Sequence, residues 1–301
     1  MKRSLILACI LCAAFVAGAR AMERTDEVSR TFEPKDRIQL KAVSGDCIVE
    51  KSQSGKIEVT VSIDMTPRDA FEPIFRELES SLILEEDYHG DHTSGHATWT
   101  IGVPDGTEFE FNSASGDATI EGVSGTFEGS TASGDYEINN CSGKFKLSAA
   151  SGDYDITGCK GIFKLSSASG DHRITDCRGE FDVSTASGDV EAEGISIEEE
   201  SSFTTASGSV EVRLDETPKF DLSLGSASGD AMLDYNGNAL VGYFELTAKR
   251  RGGRIRAPFD FDKVEEFEQN DQEYVRKSFT READEPVVTI ETASGKAELR
   301  K

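Results

Sequence analysis

The chain has 301 residues with 56 acidic against 32 basic side chains, a net charge of −24. A polymer this negative repels nucleic acid and anionic membranes at long range, and its natural partners are cations or basic surfaces. With 28 Gly and only 7 Pro, the composition favours many short strands over helices, and the length suffices for one large core or two smaller ones.

Residues 1–21 carry Lys2 and Arg3, an apolar run from Leu5 to Val16, and small residues ending Ala19-Arg20-Ala21. This is the order of a secretory signal peptide, and the run is too short to span a bilayer. Met22 is expected to begin the mature protein, with 29 basic against 56 acidic side chains and a net charge of −27. Cys9 lies too early in the run for a lipoprotein acceptor. No later segment is apolar for long enough to anchor the chain.

VSGDCIVE at residue 43 places Cys47 on an inward strand position. Residues 69–82 then set Phe71, Ile74, Phe75, Leu78 and Leu82 on one helical face, with Pro73 tolerable in a helix that begins near Asp69. Ser81 to Tyr88 and Ala97 to Val103 read as two strands joined by a polar loop. Together these segments are expected to cover the open end of the repeat array that begins at Ala114.

From Ala114 to Gly194 a nine-residue unit, x-Ser-Gly-x-Φ-x-Φ-x-x with Φ apolar, repeats without a gap, as in ASGDYEINN and CSGKFKLSA. Looser copies start at Ala206, Ala227 and Ala293. One unit cannot bury its apolar face alone, so this period signals a stacked β-solenoid. Apolar positions two apart mark strands with one buried face, and the Ser-Gly pair marks a corner. Two units make an 18-residue coil. Ile120, Ile138, Ile156 and Ile174 then stack in one column, and Phe127, Phe145, Phe163 and Phe181 in another, at ~4.8 Å spacing. About eight coils would make a rod ~40 Å long. Residues 234–286 read as a second, charged and irregular excursion before VVTIETASGKAEL returns to the repeat.

Alternate units carry Asp at the corner: Asp117, Asp135, Asp153, Asp171, Asp189 and, after Ser209, Asp230. Repulsion between such carboxylates in water is only ~0.9 kcal/mol per pair, and a hydrogen bond to a turn amide outweighs it. The row therefore reads as turn capping, with a Ca²⁺-type cation row as the functional alternative. It lacks the glycine pair and ligand spacing of calcium-binding nonapeptides.

Cys141, Cys159 and Cys177 share a column with Val123 and Ile195, which suits buried thiols; one disulfide or a thiolate metal site are the alternatives. DYHGDHTSGH gathers His89, His92 and His96 with Asp87 and Asp91, a set that could bind Zn²⁺, Ni²⁺ or Cu²⁺ or be a solvated loop. His172 shares a column with Tyr136 and Tyr154, as a core-edge residue does. KRRGGRIR supplies Lys249, Arg250, Arg251, Arg254 and Arg256, which could grip a phosphate, an acidic glycan or the Asp edge, or be solvated. No Ser/His/Asp order, HExxH, P-loop or dinucleotide fingerprint occurs.

The order of parts resembles the DUF4097 family of adhesin-like, toast-rack domains. VSGDCIVE, the amphipathic segment, WTIGVPDGTEFEFNSASGD leading into serial SGD units, and IETASGKAEL carry the resemblance over nearly all of the mature chain. It implies a β-solenoid on an exported or envelope-associated protein, with some relatives tied to envelope stress responses. It implies no catalytic residues.

The expected fold is therefore all-β: a single-stranded parallel β-helix with 18-residue coils and one short amphipathic helix near its N-terminal end. Residues 22–113 would form an end cap, 114–233 the regular repeats, and 234–301 the excursion and terminal coil. The expected function is a non-catalytic structural or interaction module in the periplasm or at the cell surface, without a cofactor unless Ca²⁺. Its partner would be an envelope or cell-surface protein or a glycan, with no nucleic acid and no membrane-spanning segment after leader cleavage. The alternatives are a metal-binding surface protein and, less favoured, a polysaccharide-active β-helix enzyme.

Overall fold

The computed structural model describes residues 26–90 and 94–301; the expected leader, Asp91 and His92 lie outside them. The described residues form 27 strands and one 3-10 turn, Arg68–Ala70. Among them no helix is long and apolar enough to cross a membrane.

Two parallel sheets face each other across one core, each coil giving one strand to either sheet. In the first, Ile120, Ile138, Ile156 and Ile174 lie in register; in the second, Phe109, Phe127, Phe145, Phe163 and Phe181 do. We call them the isoleucine and phenylalanine sheets. The phenyl rings stack at 5.4, 5.0 and 4.9 Å between centroids from Phe127 to Phe181, within 10° of parallel. This offset-stacking range adds to the area each ring buries.

From Glu108 onward, register partners are eighteen residues apart up to the pair Gly179 and Ile197. A net two residues then insert within Glu198 to Ser201, and Asp182 pairs with Ser202, twenty residues on. Ser201 takes the buried position that follows Phe181, and its Oγ accepts from the Phe181 amide at 3.0 Å. Phe203 fills the neighbouring inward file and keeps the ring stack going at 5.5 Å from Phe181.

The spatial order of coils departs from chain order at both ends. Arg37–Lys41 lies between Ser81–Tyr88 and Glu108–Ser113, so the coil beginning at Arg37 is second in the stack and residues 81–103 lie outside it. Val287–Thr292 lies between Leu222–Ser228 and Gly242–Lys249, so the terminal repeat is also an inner coil. These interior coils touch a neighbour on each side and therefore keep the SGD-type corner. Counting them, eleven coils stack, more than the eight expected.

Antiparallel strands close the ends: Asp26–Phe32 and Ile57–Thr66 beside Ser94–Val103, Phe71–Glu77 beside Ser81–Tyr88, and the hairpin Lys263–Gln269 with Gln272–Arg281 beside Gly242–Lys249. Two expectations are corrected here. The amphipathic segment is an edge strand, Phe71–Glu77, with Pro73 opposite Glu86. An edge strand tolerates a proline because one row of its amides has no ladder partner. The second excursion is also regular: an outer coil, Gly242–Lys249 with Arg254–Arg256, and then the hairpin, rather than irregular chain. Ser81–Tyr88 and Ser94–Val103 are strands as expected, but they belong to opposite sheets.

Candidate functional site

The corner aspartates form an inter-coil ladder. The Oδ1 atoms of Asp117, Asp135, Asp153 and Asp171 accept from the backbone amides of Asp135, Asp153, Asp171 and Asp189 at 2.8 to 2.9 Å. The series starts one coil earlier than the sequence pattern suggests, with Asp46 Oδ1 taking the Asp117 amide at 3.0 Å. It continues through Asp189 to the Ser209 amide at 2.7 Å, because the donor is backbone; Ser209 has no carboxylate to pass the series on to the next coil. Asp230 closes the series on Lys296, accepting its amide at 2.9 Å and its Nζ at 2.8 Å. That ammonium holds the Asp230 carboxyl below its usual range.

Beside the ladder, the next outward row of the isoleucine sheet is Thr119, Glu137, Asp155, Arg173, Glu191 and Glu211. Ladder and row enclose a shallow acidic groove of about 530 Å³. Arg173 divides it, 3.9 Å from Asp155 and 3.6 Å from Glu191. Among the described residues no group of three or more His, Cys, Asp or Glu is placed to hold a metal ion.

The glycine that precedes each Asp is required for space. A Cβ on Gly134 or Gly152 would lie 2.0 or 2.1 Å from the carbonyl oxygen of the glycine one coil back. A different corner needs a left-handed backbone: Gly122, Asn140, Gly158, Asp176 and Gly194 occupy it with φ between 52° and 69°. Asn and Asp enter this region at lower cost than other side chains.

Cys141, Cys159 and Cys177 are buried free thiols, and so is Cys47. Each of the three stacked sulfurs meets backbone: the Cys141 and Cys159 amides lie 3.3 Å from the Sγ of Cys159 and Cys177, and Cys141 Sγ lies 3.2 Å from the Asn139 carbonyl. Contact with Cys159 together with burial pushes the Cys141 thiol up, which keeps it protonated.

His172 is 1% exposed and stacks on Tyr154 at 4.5 Å between centroids. Its Nε2 lies 2.9 Å from Ser167 Oγ, while Nδ1 has no partner. Burial lowers its pKa to about 4 against the pull of Asp153 and Asp171.

His89 and His96, the latter already on the strand Ser94–Val103, turn to different carboxylates. His96 Nε2 is 2.9 Å from Asp46, whereas His89 lies 3.9 Å from both Glu72 and Asp87. In the basic run, Arg250 pairs with Glu266 at 3.1 Å and Glu273 at 3.4 Å. Lys249 ends one strand, Arg251 sits in the turn, and Arg254 and Arg256 lie on the strand Arg254–Arg256.

One residue escaped the sequence reading. Glu86 accepts from the Val43 and Ser44 amides at 2.6 and 3.2 Å, from Trp99 Nε1 at 2.9 Å and from the Tyr88 hydroxyl at 3.3 Å. At the outermost coil it does for the first corner what the aspartates do inside the stack. Its donors lie up to 43 residues away, and the local sequence does not distinguish it from its neighbours Glu85 and Asp87.

The family model described as Toastrack DUF4097 matches residues 92–240. No curated protein matches the chain. Among solved structures it is similar to a "putative adhesin" from Bacteroides fragilis, at 11% identity over 92% of this chain and 98% of that one, with a TM-score of 0.42. A "putative cell adhesion protein" from Clostridium sporogenes has 10% identity over 92% and 99%, with a TM-score of 0.24. A "putative lipid binding protein" from Parabacteroides distasonis has 14% identity over 71% and 90%, with a TM-score of 0.39.

Proposed function

This chain belongs, through residues 92–240, to the Toastrack DUF4097 family, and from that premise we propose that it is a non-catalytic, adhesin-like interaction module exported to the cell envelope. Residues 22–301 would act as one unit after loss of a leader at 1–21, with 18-residue coils as its regular repeat.

The observation that carries this reading is the unbroken ladder from Asp46 to Ser209. Because the bond is repeated at each coil, no coil is singled out as a reaction centre. The outward rows instead stand in register on the open sheet faces, coil after coil. Such a surface matches a large partner, a surface protein or a glycan chain, better than it encloses a small substrate. Crosslinking in native envelopes together with a glycan array tests this. An enriched partner is expected; nothing above background in both would count against the module, and turnover of an acidic polysaccharide abolished by Asp153→Asn would replace it with an enzyme.

The acidic groove favours a second reading, Ca²⁺ binding. Oδ1 of Asp117, Asp135, Asp153 and Asp171 is engaged by backbone, so the Oδ2 atoms outside the ladder are the oxygens a cation would take. A rise in melting temperature with Ca²⁺ that vanishes in Asp135→Asn with Asp153→Asn would support it.

A further inference from the structure

At the C-terminal end the two sheets stop at different heights. The isoleucine sheet ends with Arg254–Arg256, which pairs only with Lys296–Arg300. The phenylalanine sheet runs two strands further, through Gln272–Arg281 to Lys263–Gln269. The hairpin therefore overhangs a step whose floor is a free strand edge.

The register fixes what this step presents. The Arg254 amide donates to Gly295 O at 2.8 Å, so the alternation of a parallel ladder turns the N–H and C=O of Ile255 away from the sheet, toward the step. Ile255 packs inward against the core, which puts Arg254 and Arg256 on the outer face. Neither guanidinium, nor that of Arg251, has a carboxylate within ion-pair distance among the described residues, although the chain carries 56 acidic side chains. On the hairpin, Val264 shares a face with Lys277, and Glu266 with Val275. That face looks across the step because Lys277 and Val275 pair with the core-facing Leu246 and Ala248. Phe259 and Phe261 cover one half of it against Phe279. Val264 stays 59% exposed, and Arg250 neutralises Glu266.

The remaining strand edges are blunted differently. Phe71–Glu77 has Pro73 in its middle, Lys263–Gln269 carries three glutamates that repel an equally acidic copy or segment, and Asp26–Phe32, which pairs only with Ile57–Thr66, sets Asp26 and Glu27 beside its one arginine, Arg30. Arginines on the edge of an acidic protein have the opposite effect: they attract acidic chain.

We propose that this step is a docking site for an extended acidic segment of a partner protein, added as a strand beside Arg254–Arg256. Its backbone would bond to Ile255. Alternate side chains would be carboxylates opposite Arg254 and Arg256, where cross-strand partners stand ~4.5–5.5 Å apart, and those between would be small apolar groups turned toward Val264 and Val275. The ligand signature is thus acidic-apolar-acidic alternation. This deepens the interaction-module reading and rests on it.

Fluorescence anisotropy with a labelled Glu-Val-Glu-Val-Glu peptide tests the site on the full chain, against an isomeric Glu-Glu-Glu-Val-Val peptide and an alternating peptide N-methylated at both valines. Binding of the alternating peptide is expected to weaken at least tenfold in the Arg254→Glu/Arg256→Glu variant, in the isomer and on N-methylation. Equal binding of all three peptides would reduce the site to unspecific charge and overturn the proposal. So would binding unchanged by the two substitutions, or an arginine-dependent self-association in sedimentation that leaves no peptide binding. The circular dichroism spectrum and melting temperature of the variant establish that it is folded. If the peptide fails while envelope crosslinking still captures a partner, only the step is lost and the module stands.

Discussion

A corner aspartate contributes one acceptor atom to one amide of the next coil, and its second oxygen contributes charge without a backbone bond. Asp153 lies mid-ladder, bonded through Oδ1 to the Asp171 amide. Asp153→Asn keeps an acceptor at that atom and removes repulsion of ~0.9 kcal/mol from each neighbour, so urea denaturation at low salt should show it neutral or slightly more stable. Asp153→Ala leaves the amide to water at an exposed corner and should cost about 1 kcal/mol. Equal losses in both variants would mean that the charge itself is needed. His172 behaves differently because it is enclosed. Its folded value, about 4, lies below the ~6.5 of an unfolded histidine. The unfolded chain therefore takes up the proton first, and stability present above pH 6.5 is lost as pH falls toward 4. Full protonation costs up to roughly 3 kcal/mol. His172→Tyr, which repeats the residue of the two preceding coils, should flatten that part of the pH profile of the unfolding midpoint. A slope between pH 6.5 and 4 that survives the substitution would put the titration elsewhere.

Corners and strands are the scale at which the sequence is most and least legible. Files such as Ile120 to Ile174 and Phe127 to Phe181 can be read because both periods, two along the strand and eighteen along the chain, recur through several coils. The segment FEPIFRE offers one copy and no repeat. Its Phe71, Ile74 and Phe75 fit a helical face, yet Phe71, Pro73 and Phe75 fit a strand face equally well, and pairing with Ser81–Tyr88 decides the matter. Glu86 was illegible for a related reason, since its donors come from distant chain. Glycine was legible as a corner but not by cause. Gly152 and Gly122 separate the two causes: Gly152 has ordinary φ and no room, whereas Gly122 has φ of 66° and nothing within 4 Å of an added Cβ. Gly152→Ala must push stacked backbones apart and should cost ~3 kcal/mol or more, at the upper end of overpacking. Gly122→Ala should cost only ~1 kcal/mol and Gly122→Asn almost nothing, as Asn140 already stands there one coil on. Melting curves that rank these three in another order would contradict the assignment.

The whole molecule is a one-dimensional stack whose ends are made by chain that leaves the stack and returns. Stability in such an array is approximately a sum of coil terms and neighbour terms, so an inner coil is dispensable where its neighbours can meet in its place. Residues 142–159 are such a unit. With them removed, Cys141 runs into Lys160, and the strand Ser124–Thr131 meets Lys160–Ser169 with Phe127 on Phe163, in the register that each already uses with the missing strand. Residues 287–301 are the opposite case despite a similar length, because their coil lies between residues 222–234 and 242–256 and both faces of the gap are sequences built to meet it. No neighbour can close that gap, since the segment 242–256 is tied to the hairpin and its own inner face pairs with Val287–Thr292 and Lys296–Arg300. Deleting 142–159 should therefore leave a folded rod shorter by ~4.8 Å in small-angle scattering, with a cooperative melt. Deleting 287–301 should leave the C-terminal hairpin protease-sensitive and the protein prone to aggregate through the uncovered edges of two sheets. If the inner deletion instead unfolds the chain while the terminal one melts normally, neighbour contacts in the repeat region are not interchangeable and the coils do not act as a stack of equivalent units.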